Sequence, residues 1–227
     1  MTKSVNKRIA LLSDINFGST LIELGHFIRD DISINLISSK KELIDKFKSF
    51  HFDLLVSFGT SVIVPKEILN NNRLISVNIH AAPPKYPGRD PHHFAVYENA
   101  REYGATMHFM TEKVDAGPII DVEIFSLKNE DSPFDLLTKA NKAGIKLYRK
   151  LIENLDQPEF FIENSKYLWN KKKNTRRDFK HLCKIPPKIT IAELKRRVKA
   201  CSFPGYTNLF IEICGKKFFL IDEDLTK

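Results

Sequence analysis

Asn78 and His80 are the residues whose types and spacing best suit chemistry, because they stand two apart in the strand-like stretch VNIH, residues 77–80. Alternate residues of a strand point to the same face, so both polar side chains face one way while Val77 and Ile79 face the other. An amide N–H can stabilise a developing oxyanion, and an imidazole can accept or donate a proton near neutral pH. The alternative is structural: a capping Asn beside an unrelated core His.

An acidic turn and a stiff loop are candidates to complete such a site. Asp115 lies in VDAGP, residues 114–118, which is typical of a turn that feeds a strand. Because Asp with Gly two residues later is common in turns, this motif alone is weak. The stretch APPKYPGRDP, residues 82–91, directly follows the polar strand end and contains four prolines and Gly88. A loop of this stiffness suits a site that must be held in shape.

The remaining histidines of this region show no spacing typical of metal ligands, so no metal site is predicted. His92 and His93 are predicted to begin a helix and to line the rim of a pocket. His108 is predicted to share a strand face with Thr106 and to serve the structure rather than the reaction.

The elements that must position these residues alternate between strand and helix. This order predicts an α/β fold with a Rossmann-like, mostly parallel sheet. The first loop, 14–19, contains only Gly18, so the three-glycine fingerprint of dinucleotide binding is absent. In the first part of the chain, strands are predicted at 8–12, Ile32–Ile37, Leu54–Phe58 and 74–79, and helices at 20–29 (capped by Ser19), after Ser39, and after Pro65.

The second part of the chain extends the main domain and adds a small C-terminal region. Ser132 and Pro133 predict the start of a long helix, since Ser suits the cap and Pro the first helical position. The predicted domains are 1–156, the catalytic domain, and 157–227, a small region with a helix and a β-hairpin. The other predicted elements are a helix at 92–103, strands at 105–110 and 118–125, a helix at 191–200, and hairpin strands at Phe210–Ile213 and 217–221.

Composition is that of an ordinary globular protein, with 42% apolar residues among 227, enough for a substantial core. No stretch approaches 18 uncharged apolar residues, and residues 1–8 lack the apolar core of a secretion signal. Three cysteines without paired spacing argue against a disulfide framework, so a cytoplasmic location is expected. The net charge of +8 is concentrated in 166–199, where the acids are Asp178 and Glu193. This segment is either a phosphate-binding patch or a solvated surface.

The stretch from Asn78 to Ile120, NIHAAPPKYPGRDP followed by GATMHFMTEKVDAGPII, resembles the formyltransferase family in the order and spacing of its Asn-x-His, Pro-rich loop and Asp-x-Gly elements. The resemblance extends over residues 8–156. It implies a folate-dependent transferase with 10-formyltetrahydrofolate as formyl donor and Asn78, His80 and Asp115 as catalytic residues. Which of His80 and Asp115 is the general base stays open.

The resemblance also implies binding residues. Those matching the pterin site, largely through their backbone, are Val62, Val64, Thr111, Glu112, Lys113 and Asp115. A phosphate of the amine substrate is expected at Asn16, Gly18 and Ser19, and the alternative there is an ordinary turn. Arg89 of the Pro-rich loop is also expected to bind the substrate. Arg176 or Arg177 are candidates for a pyrophosphate. Trp169 and Tyr206 are predicted to lie near a nucleotide base or at a contact between subunits of a homodimer.

The resemblance also indicates which amine accepts the formyl group. Methionyl-tRNA formyltransferases usually carry Ser-Leu-Leu-Pro after the His, whereas this chain has Ala82, Pro83 and Pro84. The C-terminal region resembles the start of that portion in tRNA and aminosugar formyltransferases, without the fuller β-barrel expected of a tRNA enzyme. The predicted substrate is therefore a nucleotide-linked 4-amino-4,6-dideoxy sugar for surface polysaccharide such as O-antigen, and nucleic acid and membrane are not expected partners. The alternatives are a compact methionyl-tRNA formyltransferase, which the basic segment favours, and a non-catalytic folate- or nucleotide-binding module.

Overall fold

The computed structural model describes residues 7–164 and 166–220. Its main sheet has six strands in the order β2-β1-β3-β4-β5-β6. Strands β1 to β4 pair in parallel, whereas β5 pairs antiparallel with β4, and β6 antiparallel with β5. The predicted Rossmann-like α/β class is confirmed. These strands are β1 (Lys7–Leu12), β2 (Ile32–Ile37), β3 (Leu54–Phe58), β4 (Ile75–His80), β5 (Glu102–Phe109) and β6 (Ile119–Ser126).

Helices connect the strands and cover the sheet. They are α1 (Ile15–Ile28), α2 (Lys40–Ser49), α3 (Lys66–Leu69), α4 (Pro91–Tyr97) and the long α5 (Pro133–Glu153). Helix α5 begins with the predicted cap, since Ser132 accepts from the backbone of Asp135 and the Asp135 carboxylate accepts from that of Ser132. The buried stripe of α5 packs with α1 on the strands, and β1 and β3 are buried almost throughout.

Two predicted helices have different bounds. Helix α1 begins at Ile15 rather than Thr20, because the Asp14 carboxylate accepts from the N–H of Phe17 at 2.9 Å and caps the helix there. Ser19 lies inside the helix and donates its hydroxyl to the Ile15 carbonyl. The helix predicted at 92–103 ends at Tyr97, and β5 already begins at Glu102.

The C-terminal region contains more structure than predicted. A 3-10 helix (Pro158–Phe161) is followed by α6 (Arg176–Cys183), β7 (Lys184–Ile185), α7 (Ile191–Cys201), β8 (Phe210–Ile213) and β9 (Lys216–Phe219). Strands β7, β8 and β9 form a second sheet, in which β8 and β9 are the predicted hairpin. Its predicted last residue, Ile221, lies outside the described residues. The domain boundary at 156 stays a prediction.

Among the described residues, no helix combines the length and apolar character that a transmembrane span requires. The cytoplasmic location and the homodimer stay predictions.

Candidate active site

The carboxyl end of β4 presents Asn78 and His80 on one face, as strand alternation predicts. Their antiparallel partners on β5 are His108 opposite Asn78 and Thr106 opposite His80. The pairing of β5 with β6 shifts register directly before His108, an irregularity of the kind that redirects a side chain. Three potentially reactive side chains thus meet where two strands pair.

His108 is buried, and both of its ring nitrogens have partners. Its Nδ1 lies 2.7 Å from the carbonyl oxygen of Phe109, so this nitrogen carries the proton and donates. In the neutral ring Nε2 then accepts from the amide Nδ2 of Asn78 at 3.0 Å. The predicted structural role of His108 is therefore incomplete, because the side chain contacts a predicted catalytic residue. The sequence alone does not give the register of β4 against β5, which places His108 opposite Asn78.

His80 is oriented by the Pro-rich loop. Its Nε2 lies 3.1 Å from the carbonyl oxygen of Tyr86, to which it donates. In the neutral ring Nδ1 therefore holds the lone pair, and it faces Oδ1 of Asp115 at 3.7 Å. The structure thus fixes both the orientation of the imidazole and the nitrogen that is free to take a proton.

Asp115 is buried in a turn, with a relative exposure of 6% and a left-handed φ of 46°. Its Oδ2 accepts from the N–H of Gly88 at 2.9 Å. Its Oδ1 lies 3.7 Å from Nδ1 of His80 and 3.7 Å from Nε2 of His108. The carboxylate therefore faces both imidazoles, and the predicted set of Asn78, His80 and Asp115 forms one network with His108.

The electrostatics of this network favour a neutral imidazole beside an ionised carboxyl group. Burial lowers the pKa of His80 below its ordinary value of 6.5, and the attraction of Asp115 offsets this only in part. Burial alone would raise the pKa of Asp115, but the interactions with His80, His108 and the Gly88 N–H outweigh it and lower that pKa to about 2. At neutral pH, His80 is therefore free to accept a proton and Asp115 carries a negative charge.

The turn that carries Asp115 depends on Gly117. A Cβ on Gly117 would lie 1.9 Å from the carbonyl oxygen of Phe109, which is too close for any side chain. Since the crowding atom belongs to the backbone of β5, Gly117→Ala is expected to destabilise the fold by about 1–3 kcal/mol, as overpacking typically does. Urea unfolding measures the change, with Ala116→Ser at the exposed neighbouring position as control. Equal stability of the two variants would contradict this account of the turn.

A cavity of about 760 Å³ adjoins the network. Asn78, His80, His108 and Asp115 line it, together with the residues predicted to bind the pterin: Val62, Val64, Thr111, Glu112, Lys113 and Asp115. Within residues 7–164 and 166–220, the backbone N–H groups of Ile63 and Val64 have no hydrogen-bond partner. Val62, Val64 and Met110 also supply half-buried apolar surface. This wall fits a flat heteroaromatic ring that hydrogen-bonds to backbone.

Some of the residues predicted to bind the substrate line the cavity, and others do not. Arg89 lines the cavity, and so does Arg176, whereas Arg177 does not. Lys113 and Lys173 bring further positive charge to the lining. The wall therefore presents cations suited to phosphate.

Asn16, Gly18 and Ser19 do not line the cavity, and the loop predicted for them is wrong because they belong to α1. The N-terminus of this helix is capped by the carboxylate of Asp14, an acidic group rather than a ligand phosphate. Gly18 is buried, and a Cβ there would lie 2.4 Å from a methyl carbon of Leu36. Its smallness therefore serves packing.

Trp169 and Tyr206 also lie outside the cavity lining. Trp169 contacts the network itself: the centroid of its ring is 5.0 Å from that of His108 and 6.1 Å from that of His80. Tyr206 is 70% exposed and packs on Phe203. Their predicted contact with a nucleotide base or between subunits stays a prediction.

His92 and His93 begin α4 as predicted, but only His92 lines the cavity. His93 is buried, with its Nδ1 2.6 Å from the carbonyl oxygen of Ala200, to which it donates. It therefore joins α4 to α7 and serves the structure.

Comparisons with known proteins place this geometry in a family. The family model for formyl transferases matches residues 33–152. Methionyl-tRNA formyltransferase from Staphylococcus epidermidis is 31% identical over 113 residues, which are 49% of this chain. The chain covers 36% of that relative's length.

Two solved structures resemble the fold over most of their length. A 4-N formyltransferase from Francisella tularensis has a TM-score of 0.74 and 23% identity, over 96% of this chain and 97% of that one. An N-formyltransferase from Helicobacter canadensis, in complex with folinic acid and dTDP-3-aminofucose, has a TM-score of 0.66 and 20% identity, over 92% of this chain and 85% of that one. The family match covers more than half of the sequence, including the strand that carries Asn78 and His80 and the turn that carries Asp115, and this chain therefore belongs to the formyl transferase family.

Proposed function

We propose that this protein transfers a formyl group from 10-formyltetrahydrofolate to the amine of a nucleotide-linked 4-amino-4,6-dideoxy sugar. The observation that carries the proposal is the network of Asn78, His80, His108 and Asp115 on the wall of one cavity. An amide donor, a neutral imidazole and a buried carboxylate are groups that can accelerate attack by an amine on a formyl carbon.

We assign Asn78 the role of stabilising the negative charge that develops on the formyl oxygen. One N–H of its amide donates to Nε2 of His108, which fixes the plane of the amide group. The second N–H is then available to the oxyanion, in the manner of an oxyanion hole. Because His108 is itself held by the Phe109 carbonyl, the donor is preorganised before the reaction begins.

His80 is assigned as the general base. An amine that attacks a carbonyl carbon must lose a proton, and Nδ1 of His80 is the unprotonated nitrogen in the neutral ring. The imidazolium that forms is stabilised by the Tyr86 carbonyl at Nε2 and by the Asp115 carboxylate beside Nδ1. It would then return the proton to the folate nitrogen as the bond between that nitrogen and the formyl carbon breaks, so that tetrahydrofolate leaves as a neutral amine. Asp115 is assigned the charge-stabilising role, because its low pKa makes it a weak base.

The formyl donor is proposed to bind against the cavity wall formed by Val62, Val64 and residues 111–113. Backbone N–H groups and apolar side chains of this wall suit the edges and faces of a pterin ring. When bound, 10-formyltetrahydrofolate supplies the electrophilic formyl group. The folinic acid complex of the similarly folded Helicobacter canadensis enzyme supports this choice.

The substrate class is inferred from charge and fold. Arg89, Lys113, Lys173 and Arg176 give the cavity enough positive charge for the two phosphates of a sugar nucleotide. The Helicobacter canadensis enzyme was crystallised with a nucleotide-linked aminosugar, and this chain shares its fold over most of its length. We assign the product to the synthesis of surface polysaccharide such as O-antigen.

A second candidate, methionyl-tRNA formylation, is favoured by sequence relatives such as the Staphylococcus epidermidis enzyme. The two functions separate in one assay, in which purified protein and 10-formyltetrahydrofolate are combined with a panel of nucleotide-linked aminosugars and with charged initiator tRNA. Formylation of a 4-amino sugar nucleotide supports the proposal, whereas formylation of the tRNA alone overturns the substrate class. Stabilisation by 5-formyltetrahydrofolate without turnover of any amine indicates a non-catalytic binding module.

Salt dependence provides a separate prediction. A sugar nucleotide offers two phosphates, so its KM is expected to change by less than about tenfold between about 50 and 200 mM salt. Extensive tRNA contacts would cost about 10³-fold or more over the same range, because each neutralised phosphate releases counterions. The measurement is KM for the best amine at several salt concentrations. A steep dependence would indicate nucleic acid as the substrate.

A further inference from the structure

Trp169 contacts three parts of the candidate active site from outside the cavity lining. Its indole Nε1–H donates to the carbonyl oxygen of Gly117 at 2.7 Å, two residues beyond Asp115. Its ring meets the ring of His108 edge to face at an interplanar angle of 89°. The same ring lies 6.1 Å from the ring of His80, centroid to centroid. One side chain therefore touches the Asp115 turn and both imidazoles.

The residues after Trp169 hold the Pro-rich loop. The backbone N–H of Asn170 donates to the carbonyl of Pro84 at 2.9 Å, and its side-chain amide donates to that of Lys85 at 3.0 Å. The N–H of Asn174 donates to the carbonyl of Pro87 at 3.0 Å. We call residues 169–174 the bracing segment, because their contacts lie on both sides of Tyr86 in the loop.

The bracing segment also fixes Gly88, whose N–H binds Asp115. The Asn174 carbonyl accepts from the N–H of Arg89 at 2.9 Å, and it comes so near to Gly88 that a Cβ there would lie 2.2 Å from the oxygen. The Lys173 ammonium group donates to the Val114 carbonyl. The segment thus contacts the Pro-rich loop and the Asp115 turn at once.

We propose that Trp169 is a positioning residue, which holds His80, His108 and the Asp115 turn in their reactive arrangement without itself touching substrate. The proposal rests on the proposed function and deepens it. It differs from the sequence-based prediction, which places Trp169 or Tyr206 near a nucleotide base or at a contact between subunits.

The physical reason lies in the distance between His80 and Asp115. His80 and Asp115 stand 3.7 Å apart, so their relative position depends on the elements that carry them rather than on a short direct bond. The Gly117 carbonyl loses its indole donor if Trp169 is removed, and both imidazoles lose a flat apolar neighbour. A displacement of about 1 Å in a reacting group can cost about 10²-fold in rate.

The experiment compares Trp169→Phe and Trp169→Ala with Leu168→Ala, a control at the adjacent side chain, which is 80% exposed. Trp169→Ala is expected to lower kcat by about 10²-fold, with KM for the amine and for the folate within about twofold of the wild type. Trp169→Phe keeps a ring and loses the N–H donor, so a loss of about tenfold is expected. The Leu168→Ala control is expected to match the wild type.

A second readout does not depend on turnover. Imidazole NMR signals report the surroundings of His80 and His108 directly, and both are expected to shift in the two Trp169 variants but not in the control. Loss of the indole admits water, so the pKa of His80 is expected to rise towards its ordinary value. The groups that act on this titration are Asp115, His108, Lys173 and the neighbouring His92.

Two results would overturn the proposal. Unchanged kcat with unchanged imidazole signals means that Trp169 positions nothing, and a raised KM at constant kcat means that it binds substrate. If Trp169→Ala fails to fold, Trp169→Phe decides between these outcomes. Absence of turnover in the wild type with every amine contradicts the proposed function instead, and the imidazole signals then still test the positioning role.

Discussion

Replacing His80 by Gln is expected to lower kcat by about 10²–10⁴-fold, the range typical of losing a general base. Glutamine retains a donor for the Tyr86 carbonyl but cannot accept the proton that Nδ1 accepts. If His80 and Asp115 act as one unit, Asp115→Asn is also expected to be severe, and the double variant little worse than the more damaging single variant. The measurement is steady-state kinetics with the best amine substrate, with folding checked by circular dichroism.

The lowered pKa of His80 also predicts how kcat/KM depends on pH. The pKa of His80 is lowered below 6.5, so its neutral form persists to lower pH than for an ordinary histidine. As the pH falls, protonation of His80 is therefore expected to lower kcat/KM only below pH 6.5. This decrease is expected to disappear in His80→Gln, whereas any decrease caused by protonation of the amine substrate remains. His51→Gln, at an exposed histidine, is the matched control. Wild-type turnover in folded His80→Gln would rule out His80 as the base.

Asn78→Ala is expected to lower kcat by about 10²–10³-fold, as loss of one oxyanion donor does elsewhere. The effect is expected in kcat more than in KM, because the amide interacts with a charge that is absent from the ground state. The change also leaves Nε2 of His108 without its donor at 3.0 Å. Stability measured alongside the kinetics therefore separates a chemical effect from a structural one.

The same substitution at the exposed Asn72, in Asn72→Ala, controls for the generic cost of losing an amide side chain. Equal kcat for Asn78→Ala and the wild type would show that the oxyanion is stabilised by another group.

Local rules predicted the elements that carry the site, but they did not settle every helix start. The two-residue spacing of Asn78 and His80 on a strand needed only alternation, which holds in any sheet. The start of α1 lies at Ile15 rather than Thr20, because Asp14, which is also of a residue type suited to a helix cap, precedes Ser19 and caps the helix. Helix α6 is absent from the sequence-based prediction, although Thr175 and Asp178 form a capping box at its start.

Two features of the site could not be obtained from single motifs. His108 joins the network because β5 runs antiparallel to β4 in a particular register, and no local pattern states that register. The contact of Trp169 with Gly117 joins the C-terminal region to a turn in the main domain. Such pairings depend on packing between separate elements, which is decided by the whole fold.

The position of the bracing segment late in the chain sets an order of assembly during protein synthesis. The six strands of the main sheet and α5 all precede residue 169, so the ribosome delivers the hydrophobic core around β1, β3 and β4 before the residues that hold the Pro-rich loop. Closing a contact between positions as distant as Gly88 and Asn174 also carries an entropic cost that local contacts avoid. A nascent chain can therefore bury its core first, and it gains the contacts around its reactive groups only when residues 169–174 have emerged.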